Sequence, residues 1–259
     1  MRISEKVDKF GSGKAFEGAL RRLRRATLPR RLGLPLDPER LINSIDAGRF
    51  EAIRRRHAID SPGAAWPKYL NLPVWMTKNL RRVQELGLDR GVRRRILDLG
   101  CGAGYFLYIC QWLGHDALGL DIDEVSMFGE MVALLGLTRI LSRISPFCRL
   151  PRLGQKFDLI TAFMICFNGH KSSALWAREE WSFFLDDLTT HLAPGGRICL
   201  GFNQEENGEF YSSDLRRFFA GRGAEFSRNL VILSPPRPRL SGSGEVYALP
   251  ALKRVLSLP

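Results

Sequence analysis

Long apolar runs are missing from this chain. Nowhere do about 18 uncharged hydrophobic residues follow one another, so no membrane-spanning helix is expected. Histidine is scarce, with four in 259 residues, and His57, His115 and His191 fall at no metal-ligand spacing. No metal site is therefore expected. Cysteine is little used as well. Cys101, Cys110, Cys148, Cys166 and Cys199 form no C-x-x-C pair, are odd in number and sit in apolar sequence. That pattern predicts buried, reduced thiols in a cytoplasmic protein. The opening residues Met1-Arg2-Ile3-Ser4-Glu5-Lys6 lack the apolar core of a signal peptide, which fits the same compartment. A phosphate-binding P-loop is also wanting: Gly13-Lys14 runs into Ala15, and position 8 is Asp.

What is present reads as an ordinary globular protein, 45% apolar and 25% charged, long enough to bury a sizeable core. Its charge is unevenly spread. Residues 1–95 carry 23 Lys and Arg against 10 Asp and Glu, whereas residues 96–259 carry 16 against 17. A neutral body thus follows a cationic front. Arg21, Arg22, Arg24 and Arg25 interleave with Leu20 and Leu23, which predicts an amphipathic helix with a cationic face. A second helix is expected over 37–57, where Asp37 caps and Pro38 takes the first helical position. One or two more are expected over 66–86. The domain division expected is a basic helical extension over 1–65 and a catalytic body over 66–259. Residues 1–95 are accordingly the place to look for contact with an anionic membrane surface or RNA, and a solvated cationic face is the other reading.

From residue 95 the texture changes to short apolar runs alternating with helical stretches. Strands are expected over 96–99, 117–121, 157–166 and 197–202, and helices over 105–113, 124–135, 173–192 and 212–220. Two late strands, 225–233 and 245–249, follow without an intervening helix and so should be antiparallel neighbours. Alternation of this kind argues an α/β fold with a doubly wound, mostly parallel sheet.

The stretch Ile96-Leu97-Asp98-Leu99-Gly100-Cys101-Gly102-Ala103-Gly104-Tyr105-Phe106 carries the chemistry. An apolar strand ends in a carboxylate, and three alternate glycines then lead into a helix. Glycine lets the backbone turn sharply and approach a ligand without a Cβ in the way, and the helix start offers free N–H groups. The dinucleotide pattern G-x-G-x-x-G fails in both registers, at Tyr105 and at Leu107. The remaining pattern, D-x-G-x-G-x-G, resembles the first motif of the class I S-adenosylmethionine-dependent methyltransferases. Gly119-Leu120-Asp121-Ile122-Asp123 resembles the second motif, and the spacing from Gly100 to Asp121 fits a strand–helix–strand unit. Lys156-Phe157-Asp158-Leu159-Ile160 resembles the fourth strand of that family, and Leu192-Ala193-Pro194-Gly195-Gly196-Arg197 the turn into the fifth. The resemblance covers roughly residues 67–250.

It implies a seven-stranded Rossmann-like methyltransferase fold and S-adenosyl-L-methionine as cofactor. Asp98, Gly100, Cys101, Gly102, Gly104, Asp121, Ile122 and Phe163 would surround that cofactor, with Asp121 on the ribose hydroxyls. The family often places a carboxylate near the adenine amine after the third strand. Here that place reads Ser142-Arg143-Ile144-Ser145-Pro146-Phe147, so adenine recognition is assigned to backbone groups around Ile144.

The acceptor should lie beyond the ends of the fourth and fifth strands, at 163–170 and 203–206. Relatives that methylate nucleobase amines tend to carry an Asn/Asp-Pro-Pro-aromatic run there, and this chain has Ala162-Phe163-Met164-Ile165-Cys166 instead. Cys166, between Ile165 and Phe167, lacks the context of a cytosine-attacking thiol. The expected reaction is O-methylation of a small or medium polar acceptor, sugar- or lipid-linked acceptors included. An RNA methyltransferase and a non-catalytic cofactor-binding module are the alternatives. His170, after Asn168-Gly169, is the candidate catalytic base because imidazole titrates near neutrality. A solvated loop histidine is the other reading. Asn203 and Glu205 are candidate acceptor ligands, and at least one of Trp176 and Trp181 is expected in the core.

Overall fold

Along β1 (Arg95–Leu99) side chains alternate between the two faces of a sheet, as the period-two pleat requires. Ile96 joins one core cluster while Leu97 and Leu99 join the other. Asp98 therefore faces the side of Ile96, at the strand's C-terminal end. The structure is a computed structural model, and it describes residues 36–57, 67–164, 175–205 and 207–235.

The remaining strands are β2 (Asp116–Asp121), β3 (Thr138–Leu141), β4 (Phe157–Phe163), β5 (Leu192–Gly201), β6 (Glu225–Ser227) and β7 (Leu230–Leu233). They form one seven-stranded sheet in the order β3-β2-β1-β4-β5-β7-β6. The first five are parallel, and β7 pairs antiparallel with both β5 and β6. The chain crosses from one half of the sheet to the other between β1 and β4, and a crevice opens at such a switch point.

Helices cover both faces. On the side of Ile96 lie α1 (Pro38–Asn43), α2 (Ala47–His57), α3 (Leu72–Glu85), α4 (Tyr105–Trp112) and α5 (Ser126–Leu134). On the other side α6 (Arg178–His191) and α7 (Ser213–Gly221) bury Trp181, Phe184, Leu188 and Phe219. The start of α3 is fixed by Asn71, whose Oδ1 accepts from the Val74 N–H at 3.2 Å, and by Pro73 in the first turn. Leu72, Met76, Leu80 and Val83 then give it an apolar stripe against α4. Although α1 and α2 belong to the segment read as an extension, Leu41, Ile45 and Ile53 enter the same core cluster as α3 and α4.

Several expected elements differ from the observed ones. The helix expected over 37–57 is two helices, because Ser44 turns back on the Leu41 carbonyl and Asp46 caps a new start at Arg49. The run 225–233 is a hairpin of two strands, turned at Arg228 with φ 57°. Strand β4 stops at Phe163, since Met164 takes φ 64°, a conformation no strand continues through. Between them, β3 was missing from the expected strands. Of the thiols, Cys110 and Cys199 are buried, Cys101 is half-buried and Cys148 is exposed, which corrects the uniform expectation. The expected helix around 16–25, the strand at 245–249 and Cys166 lie outside the described residues. Among the described residues no helix is long and apolar enough to cross a membrane.

Candidate active site

The loop between β1 and α4 sits against the end of β2. Gly100 and Gly102 adopt φ 67° and 53°, and the Gly100 N–H donates to the Leu120 carbonyl at 2.8 Å. Asp121 then clasps the loop: its Oδ2 accepts from the Gly102 N–H at 2.5 Å and its Oδ1 from its neighbour Ile122 at 2.7 Å. Gly119 makes this approach possible, since a Cβ there would lie 2.7 Å from the Cys101 sulfur. The carboxylate of the second motif is thereby held beside the bare backbone of the first.

Asp98 is buried at the floor, 4% exposed, and its Oδ1 accepts from the Thr161 hydroxyl at 2.6 Å. Burial raises its pKa from 3.8 to about 7, against the opposing pull of Thr161 and the Arg82 charge. Cys101 is driven far above the ordinary thiol range, chiefly by burial and then by the charges of Asp98 and Asp121. It is a protonated lining group rather than a nucleophile.

A cleft of about 270 Å³ opens above these residues. Its far wall comes from α3 and the short 3₁₀ turn Pro67–Leu70 before it. Tyr69 and Trp75 stack there with centroids 4.4 Å apart, and the Tyr105 hydroxyl donates to the Tyr69 carbonyl at 2.6 Å. Arg82 lies over the Phe163 ring at 4.4 Å and donates to Asn79 Oδ1 at 2.9 Å. Asn79, itself buried, is held by the Trp75 carbonyl. A cation is thus fixed in one wall while Asp98 and Asp121 line the floor. Such an arrangement complements a ligand bearing hydroxyls and charges of both signs.

Of the residues singled out in the sequence, Asp98, Gly100, Cys101, Gly102, Asp121, Ile122 and Phe163 line this cleft. The other two, Gly104 and Ile144, lie outside the lining. Gly104 does not line it but caps α4 at φ 79°, where a Cβ would strike Leu137 Cδ1 at 2.3 Å. Ile144 does not line it either and packs against the core on the opposite face of the sheet. Near that end of the cleft Arg143 instead pairs with Glu124, a lining residue. His170 lies outside the described residues. The buried Asn203 also stays out of the lining, and its side-chain amide donates to the Met164 carbonyl at 3.1 Å, tying the end of β5 to that of β4. Among the described residues no group of three His, Cys, Asp or Glu is placed to hold a metal.

Sequence reasoning missed the α3 wall. A signal was available: Asn79 and Arg82 follow Met76 at three-residue steps, so polar groups interrupt an otherwise apolar stripe. It also missed Thr161, the hydroxyl under Asp98.

Among solved structures, the chain is similar to DesVI from Streptomyces venezuelae, at 15% identity over 62% of this chain and 92% of that one, with a TM-score of 0.45. It is similar at 18% identity to an S-adenosylmethionine-bound amino pentose methyltransferase of calicheamicin biosynthesis from Micromonospora echinaspora, over the same shares and with TM-score 0.45. A magnesium protoporphyrin IX methyltransferase from Synechocystis PCC 6803 aligns at 19% identity over 78% of this chain and 99% of that one, with TM-score 0.46. No curated protein sequence matches. A family model described as a methyltransferase domain, however, matches residues 75–207, a span that begins within α3 and takes in both glycine-loop motifs and strands β1 to β5. With more than half of its length inside that match, the chain belongs to the S-adenosylmethionine-dependent class I methyltransferases.

Proposed function

We propose that the enzyme methylates an oxygen of a small or medium polar acceptor, with sugar- and lipid-linked compounds included. The observation that carries this reading is the end of β4, where Phe163 and Met164 line the cleft. Neither offers the carboxamide or carboxylate that would hold the protons of an amine acceptor. Met164 keeps a strained backbone of φ 64° through the bonds of its N–H to Gly201 and of its carbonyl to Asn203.

The cleft's donors and acceptors fit the cofactor. Asp121 would accept from the ribose hydroxyls and Arg82 would take the amino-acid carboxylate, with Asp98 beneath as partner of the ammonium, whose charge would draw off the proton that the ligand-free carboxyl keeps. Bound S-adenosylmethionine would supply an electrophilic methyl to an acceptor oxygen that gives up its proton. The chain's own work is to align the acceptor and exclude water, an orientation effect. His170, seven residues after the end of β4 in sequence, keeps the role of proton acceptor in this reading.

Incubation of the full chain with methyl-labelled cofactor and fractionated cell extract tests the reading. The label is expected in the small-molecule or lipid fraction, at a carbon shift that separates methyl ethers and esters from N- and S-methyl groups. Label on nitrogen, or label confined to RNA, contradicts it.

A further inference from the structure

Arg82, the cation of the cleft wall, has a different kind of partner from most arginines of this chain. Arg139, Arg143 and Arg222 each meet a carboxylate, at Asp123, Glu124 and Asp186. Arg82 meets the uncharged side chain of Asn79. Its guanidinium lies on the Phe163 ring, which is itself packed edge-on against Phe106 at 5.1 Å, so one of its faces is covered. One N–H goes to Asn79 Oδ1 at 2.9 Å, and among the described residues the others find no acceptor. Burial works against the charge, and the pull of Asp98 offsets it only in part. A half-satisfied guanidinium is thus held ready in the cleft.

Asn79 stands three residues before Arg82 on α3, a spacing that brings two side chains together on one helical face. It is buried, it lines the cleft, and both ends of its amide are used. The Nδ2 group donates to the Trp75 carbonyl at 2.9 Å, which turns Oδ1 toward the guanidinium. A carboxylate in the same place would accept the same bond from Arg82. It would also cancel the charge and keep the guanidinium in a buried ion pair. The amide orients without neutralising, so the charge stays available to an anion that enters the cleft.

We propose that Asn79 is a positioning residue for cofactor binding: its uncharged amide aims Arg82 at the amino-acid carboxylate of S-adenosylmethionine and leaves the full charge for it. This inference rests on the reading that Arg82 takes that carboxylate, and it names the residue on which the contact depends. A guanidinium fixed in advance by Asn79 and Phe163 gives up less freedom when the carboxylate arrives, and the contact gains by that difference.

Calorimetric titration of the full chain with two probes tests it. S-adenosylhomocysteine carries the carboxylate, whereas methylthioadenosine keeps the adenosine and the sulfur without it. Asn79→Asp should weaken S-adenosylhomocysteine by about tenfold or more, because the added charge competes for Arg82, and should leave methylthioadenosine unchanged. Asn79→Ala should show the same selectivity with a smaller loss, and in an Arg82→Gln background it should add nothing further. Circular dichroism checks that each variant is folded, and either Asn79 variant alone carries the test. A loss shared equally by both probes, or no loss for either, overturns the positioning role. The reading of Arg82 then still stands if Arg82→Gln weakens S-adenosylhomocysteine alone. An Arg82→Gln variant that treats the two probes alike overturns that reading and the inference with it.

Discussion

Asp98 holds its proton under opposing influences. Burial and the Asp121 charge raise its pKa, while the Thr161 hydroxyl and the Arg82 charge lower it, and the balance lies near 7. In the unfolded chain the same carboxyl titrates near 3.8. Between these values the folded protein binds a proton that the unfolded chain has lost. This group's contribution to stability is thus complete below about pH 4 and disappears as pH rises through 7. The ligand-free enzyme should therefore lose stability from pH 5 to about 8 through this residue. Asp98→Asn, which keeps a partner for Thr161 but has no charge to bury, should show a flatter profile over that range. Urea unfolding midpoints across pH measure both, and parallel profiles would show that Asp98 is charged throughout. The residue scale is also where the sequence was most legible. Asp98, Gly100 and Gly102 announce themselves because they share one short run, and Asp121 because strand–helix–strand spacing returns it to the Gly102 N–H.

Elements meet through glycines as much as through apolar stripes. Gly104 begins α4 in the left-handed region, and its missing Cβ leaves room for Leu137 at the entry to β3. Gly104→Ala should combine backbone strain with a clash and cost about 2–4 kcal/mol. In a Leu137→Ala background the clash is gone, and only the strain of ~1 kcal/mol should remain. A double-mutant cycle by urea unfolding reads the difference. Equal costs in the two backgrounds would mean that Leu137 does not set the requirement. The sequence placed this glycine at the cofactor because the motif does; its packing task became visible only with Leu137 beside it. The same limit hid the α3 wall. Tyr69, Trp75, Asn79 and Arg82 reach the cleft only because α3 packs against α4, and helical periodicity alone cannot say which neighbour a polar residue in an apolar stripe will meet. The split of α1 from α2 is set by local bonds at Ser44 and Asp46, and Ser44 also bonds Tyr108 on α4, a partner distant in sequence.

For the molecule as a whole, charge and chemistry occupy different parts of the chain. The cofactor motifs lie after residue 95, whereas the excess of Lys and Arg lies before it. Replacing Arg21, Arg22, Arg24 and Arg25 by Gln should leave cofactor affinity intact and weaken binding to anionic vesicles or RNA, most strongly at low ionic strength. A wild-type chain that ignores both at low salt contradicts a partner role for that segment. The glycine loop and Asp121 are proposed to hold S-adenosylmethionine together. Calorimetric titration of S-adenosylhomocysteine into the full chain tests this most directly, with Asp121→Ala as the comparison. The wild type should bind at a single site. The variant gives up a carboxylate on the ribose hydroxyls, along with its bonds to the N–H groups of Gly102 and Ile122, and should lose about 100-fold or more in affinity. Unchanged affinity in a variant whose circular dichroism matches the wild type would contradict the account.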